Sequence, residues 1–465
     1  MRSPSDPRNI PPKTTQVVVV GAGLVGSLIA MFLKRKGYEV SVFERRSDMR
    51  KINKQGGRSI NLIATRRGFH ALGLLGLGDE VEALSVPVWG RMMHDREGRQ
   101  VYQPYGKDKS ERNYSVSRGA LNTHLVNLAE SRGIKFYFDH TLTSMDFENR
   151  QLVFDAHGEV ISIHAERVFG ADGSGSACRD SLMNALGETA KVDYLSHGYK
   201  EMIIPASEGG GYRLDEKALH IWPRGNHMLM ALPNNDGSFT ATLYLAREGS
   251  LSFAAMSSSE TIEQYFETFY PDALSLLPNR RQEMQDHPVG SLATVSCPKW
   301  HFKDWLLLLG DASHGIVPFF GQGMNSGFED CSVFESLFTG DWGRDFAEFE
   351  RQRQPDAKAI AEMALENFVE MRDLVGDPHF RFCKAVEHEL ELRFPKRFRS
   401  RYANVVYSLM PYHVAQEAGR IQWKIIQEMA EGRTSLTQIP WDRAEAIIDQ
   451  RLTPYFESKN VRLGE

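Results

Sequence analysis

Three separate segments of the sequence place glycine and aspartate where a nucleotide could bind. The first is Gly21-x-Gly23-x-x-Gly26, which follows a β-branched apolar run over Gln16 to Val20 and opens a helical pattern over Leu24 to Lys36. Glycines in these places let backbone N–H groups and the positive end of a helix approach a pyrophosphate. A simple turn is the alternative, but the strand and helix around it favour a dinucleotide site.

An acidic residue completes this β-α-β opening. Glu44 ends a second predicted strand, Glu39 to Glu44. A carboxylate there can accept hydrogen bonds from ribose hydroxyls, and it disfavours a cofactor with a phosphate on that ribose. The opening segment alone does not distinguish FAD from NAD, so the choice depends on the rest of the chain.

Two later segments favour FAD. Each follows an apolar run, and they are Gly170-Ala-Asp172-Gly173-Ser-Gly-Ser176-Ala-Cys-Arg179 and Gly310-Asp311-Ala312-Ser-His314, the latter continuing to Pro318. An Asp between glycines at a strand end can bind ribose hydroxyls. The turn Gly321-Gln-Gly323-Met-Asn325 offers N–H donors that suit the carbonyl edge of an isoalloxazine ring. Each segment alone could be an Asp-Gly turn, but together and in this order they predict FAD.

The three segments resemble the class A flavoprotein monooxygenases, which share the p-hydroxybenzoate hydroxylase fold. The GxDGxxSxxR pattern of that family is matched at Gly170, Asp172, Gly173, Ser176 and Arg179. The resemblance implies one tightly held FAD, NADPH that binds transiently as a co-substrate without a second Rossmann domain, and O2 as the oxidant. The cofactor-binding residues expected on this basis are Gly21, Gly23, Leu24, Val25, Gly26, Glu44, Arg45, Arg46, Arg58, Ala64, Arg118, Leu142, Asp172, Gly310, Asp311, Pro318, Gly321, Gly323, Met324 and Asn325.

Longer strings resemble the branch of this family that hydroxylates L-kynurenine. They are Gly57-Arg58-Ser-Ile-Asn61-Leu, Gly90-Arg91-Met, Pro104-Tyr105-Gly, His197-Gly-Tyr199, Leu219-His-Ile-Trp-Pro223 and Val317 to Asn325. The resemblance implies NADPH- and O2-dependent conversion to 3-hydroxykynurenine through a flavin C4a-hydroperoxide, with no catalytic side chain because the flavin carries the chemistry. Another small aromatic acid is the alternative substrate. A flavoprotein that only makes peroxide is the alternative outside the hydroxylases.

The substrate-binding residues that the resemblance implies fall into two groups. A polar group would bind the carboxylate and amino end of the substrate, and consists of Arg91, Tyr105, Asn367, Glu370 and Tyr402. An apolar group would surround the aniline ring, and consists of Phe239, Pro318 and Phe319. From the residues alone, a solvated Arg, a helix edge over Ile360 to Val375 where Glu370 pairs with an Arg, and ordinary core packing stay open. His314 is assigned no general-base role.

The composition is that of an ordinary globular protein. Of 465 residues, 42% are hydrophobic and 25% are charged, and the net charge of -5 provides no basic field for nucleic acid. The four cysteines are scattered without CxxC spacing, which argues against a metal site and a disulfide framework and suits a reducing cytosol. No apolar run approaches the ~20 residues of a membrane span. A cytoplasmic location is therefore predicted, with the mitochondrial outer membrane as the location only if a C-terminal anchor has been removed.

The order of elements predicts an α/β protein. A Rossmann-like FAD-binding domain is expected to be interleaved with an antiparallel β-sheet substrate domain, with a helical C-terminal domain after both. The predicted pieces are a flexible arm over 1–15, FAD-binding segments over 16–85, 107–190 and 290–343, substrate segments over 86–106 and 191–289, and a helical region over 344–465. The segments Leu219 to Ala231 and Ser238 to Leu245 predict a hairpin around an Asn-Asp-Gly turn. A homodimer is left open.

Overall fold

The computed structural model describes residues 11–51, 61–371, 377–461 and 463. Its strands are β1 Thr14–Val20, β2 Val40–Phe43, β3 Asn61–Ala64, β4 Val86–Val88, β5 Gly90–His94, β6 Gln100–Pro104, β7 Asn113–Ser117, β8 Lys135–Tyr137, β9 Thr141–Asp146, β10 Gln151–Ala156, β11 Glu159–Gly170, β12 Lys191–Ile204, β13 Ala218–Pro223, β14 Met228–Pro233, β15 Phe239–Ala246, β16 Gly290–Ser296, β17 His301–Phe302 and β18 Leu306–Leu308. Its α-helices are α1 Leu24–Arg35, α2 Arg66–Gly73, α3 Gly78–Ala83, α4 Arg118–Ser131, α5 Ala177–Leu186, α6 Ser259–Phe269, α7 Arg280–Asp286, α8 Asp311–His314, α9 Gly323–Leu337, α10 Trp342–Val369, α11 Pro378–Arg393, α12 Arg401–Val406, α13 Tyr412–Ala430, α14 Trp441–Arg451 and α15 Thr453–Ser458.

The largest sheet places the three glycine-containing segments side by side. Its strands β18, β11, β1, β2 and β8 are neighbours in that order and run parallel. Val20 is in register with both Gly170 and Phe43, and Gly170 is in register with Leu308. Parallel strands present their carboxyl ends at one edge, which is where open α/β sheets bind ligands. The residues that follow β1, β2, β11 and β18 therefore meet at this edge.

The apolar character of these strands explains their position. Val17 to Val19 in β1 and Leu306 to Leu308 in β18 are fully buried, as expected for parallel strands that are covered by helices on both faces. Helix α1 buries a continuous segment from Gly26 to Leu33 and has Lys34 and Arg35 in its last turn. Basic side chains in the last turn are stabilising, because the carboxyl end of a helix carries a partial negative charge.

A second, seven-stranded sheet forms the wall of the site. Its order is β16-β12-β15-β14-β13-β5-β6, and its pairs are antiparallel except for β13 with β5. Successive side chains of a strand point to opposite faces, and β15 shows this clearly. Phe239, Ala241 and Leu243 pack in a core with α6 and α7, whereas Tyr244 packs in a different core with the C-terminal helices. The face of β15 that carries Tyr244 is the one that borders the carboxyl edge of the parallel sheet.

A small sheet and the C-terminal helices complete the site. Strands β3, β7 and β4 pair in that order. Helices α10 to α15 follow one another along the last part of the described chain. Pro378 begins α11, Pro395 follows its end, and Pro411 precedes α13, so each proline lies where a missing backbone N–H costs little. Helices α14 and α15 carry the helical region on to Ser458.

Several predicted elements are confirmed, and one is corrected. The opening strand, helix and second strand correspond to β1, α1 and β2, and the predicted hairpin corresponds to β14 with β15. The segment Leu219 to Ala231 is not one strand, because a turn at Arg224 and Gly225 divides it into β13 and β14. Gly225 has a φ of 79°, and the Arg224 guanidinium donates to the carbonyl of His94 at 2.9 Å, which fixes the turn.

The predicted domain boundaries stay a prediction. Strands β5 and β6 lie in the seven-stranded sheet with β12 to β15. Strand β16 lies there too, because it pairs with β12, although the sequence assigns 290–343 to the FAD-binding part. None of the helices in the described residues is long and apolar enough to cross a bilayer.

Candidate active site

The turn after β1 is built for close approach of a ligand to backbone. Gly21 has a φ of 105°, and a Cβ added there would lie 2.4 Å from the carbonyl oxygen of Ala171. Only glycine therefore lets the turns after β1 and β11 touch. Helix α1 begins directly afterwards with no side-chain cap and no acidic residue in its first turn. Its N–H groups and positive end are left for an anionic ligand such as a pyrophosphate.

Glu44 is held at the same edge by two neighbours. Its Oε2 accepts from the N–H of Ala22 at 2.9 Å, and its Oε1 accepts from the backbone N and Nε of Arg46 at 3.0 and 2.9 Å. Burial by itself would raise the pKa of Glu44, but these bonds and the charge of Arg46 outweigh it, so the pKa is lowered. Glu44 is thus a carboxylate at neutral pH, as an acceptor for ribose hydroxyls must be.

Asp172 organises the second segment. Its carboxylate accepts from the hydroxyl of Ser176, the N-cap of α5, and from the backbone N of Cys178 in the first turn of that helix, the latter at 3.1 Å. Arg179 donates to the carbonyl of Ser174 at 2.8 Å. Burial raises the pKa of Asp172 despite these bonds. The side chain therefore holds the turn while one of its faces lines the cavity described below.

The third segment is held from behind by Asp330 in α9. Asp330 Oδ2 accepts from the N of Gly310 at 2.9 Å and contacts His314 Nε2 at 2.6 Å, and its Oδ1 accepts from Arg353 Nε at 2.8 Å. Burial would raise the pKa of Asp330, but His314 and Arg353 lower it overall. His314 also stacks on Trp300 at 5.0 Å. It is occupied by packing and hydrogen bonding, away from the cavity.

Asn325 joins the third segment to the small sheet. Its Oδ1 accepts from Thr65 N at 2.9 Å, and its Nδ2 donates to the carbonyls of Ile63 and Gly321 at 2.7 and 2.8 Å. The amide is fully used by the protein. The turn before α9 is thereby fixed, with Gly321 at a φ of 66°.

One cavity of about 730 Å³ runs from this edge to the C-terminal helices. It is lined by most of the predicted cofactor-binding residues, namely Gly21, Gly23, Leu24, Val25, Glu44, Arg45, Arg46, Arg118, Leu142, Asp172, Asp311, Pro318, Gly321, Gly323 and Met324. The lining does not include Gly26, Ala64, Gly310 or Asn325, which support it from behind. Arg58 lies outside the described residues. The uncapped helix, the glycine turns and the cations Arg45, Arg46 and Arg118 fit a dinucleotide such as FAD.

The far end of the cavity is polar and centred on Arg91. The Arg91 guanidinium lies 5.4 Å from the ring centre of Tyr105 and 5.7 Å from that of Tyr402, and the two rings stack at 5.4 Å. Arg91 Nε is buried with no hydrogen-bond partner, and no carboxylate of the described residues forms an ion pair with Arg91. Burial would lower the pKa of Arg91, but Tyr105, Tyr402 and Glu370 raise it overall. A permanent cation thus faces the cavity.

Asn367 and Glu370 stand close to this end without lining it. Asn367 is buried, and its Nδ2 donates to the carbonyl of Phe319 at 2.6 Å. Glu370 lies 3.7 Å from Lys384 Nζ, and its charge acts on Arg91. Asn367 therefore positions the backbone of Phe319, and Glu370 contributes negative charge beside Arg91.

The apolar residues divide according to the strand alternation. Pro318 and Phe319 line the cavity, and Phe319 stacks on Phe368 at 4.3 Å. Phe239 does not, because it points to the opposite face of β15 and packs against Tyr212 and His220. The prediction of Phe239 as a substrate contact is not supported by its position. The alternative of core packing describes it instead.

Sequence reasoning missed several residues that line the cavity. They are Asn61, Asn113, Tyr199, Met230, Thr240, Thr242, Tyr244 and Met371. Tyr244 lies 5.2 Å from Phe319, ring to ring. The alternation of β15 would have grouped Thr240, Thr242 and Tyr244, but nothing in that strand shows which face meets the cavity. For Asn113 the sequence carries no signal beyond its place in a strand.

The described residues contain no group of three or more His, Cys, Asp or Glu side chains placed to hold a metal ion.

Comparison with known families matches the FAD binding domain over residues 14–336. Among solved structures, the chain is similar to a tetrameric form of 2-methyl-3-hydroxypyridine-5-carboxylic acid oxygenase, with a TM-score of 0.64, 19% identity, and coverage of 85% of this chain and 99% of the other. At that identity the likeness concerns the fold.

Curated relatives are much more similar in sequence. Kynurenine 3-monooxygenase of Myxococcus xanthus is 46% identical over 446 residues, which cover 95% of this chain and 96% of the relative. Kynurenine 3-monooxygenase of Xanthomonas axonopodis pv. citri is 41% identical over 450 residues, which cover 96% of this chain and 98% of the relative. With the FAD-binding edge and the cavity of the structure, these matches show that the chain belongs to the kynurenine 3-monooxygenase family of FAD-dependent monooxygenases.

Proposed function

We propose that this protein hydroxylates L-kynurenine to 3-hydroxykynurenine, with FAD as its cofactor and NADPH and O2 as co-substrates. The observation that carries the proposal is Arg91, whose Nε is buried without a hydrogen-bond partner, at one end of a cavity whose other end is the nucleotide-binding edge. Two curated relatives with this activity in their names align over nearly the whole chain. The site thus combines a dinucleotide cradle with a receptor for an organic anion.

Arg91 is suited to the carboxylate of the substrate. A planar guanidinium can donate two parallel, charge-assisted hydrogen bonds to a carboxylate. In this chain it is flanked by the hydroxyl-bearing rings of Tyr105 and Tyr402, and burial raises the pKa of both tyrosines. They therefore remain neutral O–H donors at physiological pH, which suits an acceptor-only carboxylate. We assign to Glu370, which acts by its charge from outside the cavity lining, the electrostatic attraction of the ammonium group of the same substrate.

The aniline ring is assigned to the apolar middle of the cavity. Phe319, Tyr244 and Met230 present ring and thioether surface there, and Asn367 fixes the backbone of Phe319. This wall excludes water from the reacting ring, which favours hydroxylation over loss of the activated oxygen as peroxide. Pro318 and Phe319 face both the flavin end and the substrate end of the cavity.

Bound FAD would take electrons from NADPH and supply the activated oxygen. The chain's own part is to hold FAD at the strand edge and to hold the ring of the substrate beside it. The aniline nitrogen already donates electron density to the carbon that is hydroxylated, so no strong base is needed. The substrate end agrees with this, because its tyrosines are held neutral and Arg91 stays protonated.

The test is one chromatographic assay of the FAD-loaded protein. It is incubated with NADPH, O2 and L-kynurenine, and 3-hydroxykynurenine is quantified against the NADPH consumed. Stoichiometric product supports the proposal. Full NADPH consumption with no hydroxylated product would overturn it, and product from another aromatic acid in a parallel panel would replace kynurenine as the substrate. Cytoplasmic location and homodimerisation stay predictions, which cell fractionation and light scattering would check.

A further inference from the structure

We infer that Asn113 fixes the hydrogen-bond direction of the Tyr402 hydroxyl and thereby makes the site selective for ligands with a free carboxylate. The inference deepens the proposed function and rests on it, because the carboxylate would be that of kynurenine. Asn113 lies in β7, is 1% exposed, and lines the polar end of the cavity. Neither the FAD-binding segments nor the strings that resemble kynurenine hydroxylases include it.

The small sheet holds Asn113 in place independently of Tyr402. Asn113 is paired with Val88 in β4. Two residues along the same face of β7, the Ser115 hydroxyl donates to the carbonyl of Pro233 at 2.8 Å. Tyr402 belongs to α12, a separate element. The contact between Asn113 and Tyr402 is thus made between two independently supported parts of the fold.

The contact has a direction. Asn113 Nδ2 donates to the Tyr402 hydroxyl oxygen at 2.9 Å, and this is the one hydrogen bond of the Asn113 side chain within the described residues, since its Oδ1 is buried without a partner. The Arg91 guanidinium lies 5.7 Å from the centre of the Tyr402 ring. Asn113 therefore occupies a lone pair of the phenolic oxygen, and the nearby Arg91 side chain offers only N–H donors and no acceptor.

The hydrogen of the Tyr402 hydroxyl is therefore available for donation to a ligand. A phenol carries one O–H and two acceptor positions, and no acceptor in the described part of the chain receives the Tyr402 O–H. The hydroxyl must find its acceptor in the ligand, and a carboxylate beside Arg91 is an acceptor with no hydrogen of its own. If Asn113 were absent, the hydroxyl could rotate and water could satisfy it, so the preference for a carboxylate would weaken.

The experiment compares two ligands on FAD-loaded enzyme. L-Kynurenine and its decarboxylated amine analogue, which keeps the ring, ketone and amine, are titrated by the change in flavin absorbance. The variants are Asn113→Ala, Asn113→Asp, Tyr402→Phe and the Asn113→Ala/Tyr402→Phe double variant. Ser115→Ala, on the same face of β7 but not lining the cavity, reports the general effect of disturbing the strand.

The expected result is selective. Asn113→Ala should raise the dissociation constant of kynurenine about tenfold, which is about 1.4 kcal/mol. The dissociation constant of the analogue should be unchanged. Asn113→Asp should weaken kynurenine more, because its carboxylate takes the Tyr402 hydrogen and repels the ligand. In the Tyr402→Phe variant, the additional Asn113→Ala substitution should weaken kynurenine binding little further, because the two residues act as one unit. Ser115→Ala should bind both ligands as the wild-type enzyme does.

Other outcomes overturn the inference. Equal weakening of both ligands would make Asn113 merely structural. An effect of Asn113→Ala that is as large without the Tyr402 hydroxyl as with it would show no action through Tyr402, and normal binding by Asn113→Asp would show that the hydrogen bond runs the other way. If the wild-type enzyme converts kynurenine and the variants bind both ligands with unchanged affinity, only this inference is contradicted. A wild-type enzyme that does not bind kynurenine sinks the proposed function with it.

Discussion

Glu44 accepts a hydrogen bond from the backbone N–H of Ala22, with 2.9 Å between Oε2 and the nitrogen. The bond ties the end of β2 to the glycine turn after β1. A carboxylate offers about four acceptor positions, and Ala22 together with Arg46 uses three of them. The remaining position on Oε2 is the one assigned to a ribose hydroxyl. Glu44 is thus both a support for the turn and a ligand-binding group.

Replacing Glu44 by Gln should weaken FAD binding by roughly ten- to a hundredfold, since hydrogen bonds of charged groups contribute ~1.5–3 kcal/mol. The amide also places N–H groups against the donors of Ala22 and Arg46. The measurement is a titration of the apoprotein with FAD, in which binding is detected as quenching of the flavin fluorescence. The matched control is Glu39→Gln, because Glu39 is exposed and pairs with Lys34. Equal FAD affinity of the two variants would remove the role given to Glu44.

Replacing Arg91 by Ala should raise the dissociation constant of kynurenine by roughly a hundredfold and leave FAD content unchanged. The reason is the loss of a buried, charge-assisted pair of hydrogen bonds. Arg91→Lys should fall in between, because it keeps the charge and loses the planar fork. Arg99→Ala is the control, since Arg99 is exposed and pairs with Asp95. Near-normal kynurenine binding by Arg91→Ala would contradict the assignment.

The sequence predicts the nucleotide-binding elements well because their signals are local. The apolar run of β1, the glycine turn and the apolar α1 are each specified by neighbouring residues, and their bounds differ from the prediction by no more than two residues. The meeting of the three segments at one edge is not local. It depends on the parallel order of β18, β11, β1 and β2, and the sequence indicated it only through the family resemblance.

The substrate end was predicted less completely. Phe239 and Thr240 are neighbours in a strand, so they must face opposite sides, but the choice of side depends on which helices cover each face of the sheet. Here α6 and α7 cover the face of Phe239. Asn325 shows a similar limit, because an Asn at a helix start suits either a ligand or the backbone of a distant strand. It binds the backbone of Thr65 and Ile63, which only tertiary structure reveals.

Asp330→Asn should destabilise the fold by about 3–5 kcal/mol, since removing one partner of a buried ion pair leaves the other charge uncompensated. Arg353 and His314 both contact Asp330, which is fully buried. Because Asp330 also holds Gly310, FAD affinity should fall in the same variant. Urea unfolding of the FAD-free protein and FAD titration are the measurements.

The control for Asp330 is Asp449→Asn. Asp449 is exposed and pairs with Arg397 at the surface, where an ion pair contributes about 1 kcal/mol or less. If both variants lost stability equally, the buried network around Asp330 would have no special role. Loss of stability with normal FAD affinity would separate the fold from the cofactor site.

Glu391 makes the stability of the C-terminal helices depend on pH. It is buried beside Ser400, the N-cap of α12, and burial together with the charge of Glu111 raises its pKa from its ordinary value of 4.5 to about 7. The folded protein therefore binds this proton more tightly than the unfolded chain does. The resulting stability is fully present below about pH 4.5 and is lost as the pH rises through about 7, up to about 3 kcal/mol in total.

Glu391→Gln, which mimics the protonated acid, should therefore stabilise the protein at about pH 8 and have little effect near pH 4. Its melting temperature minus that of the wild-type protein should rise across this interval, because only the wild-type protein must bury a charge at high pH. Glu389→Gln is the matched control, since Glu389 lies on the same helix and pairs with Arg393 at the surface, and its difference from wild type should stay nearly flat. A Glu391→Gln curve that runs parallel to wild type at all pH values would show that the pKa of Glu391 is the same in the folded protein as in the unfolded chain. The charge of Glu391 would then have to be compensated by Arg399, which already pairs with Glu111.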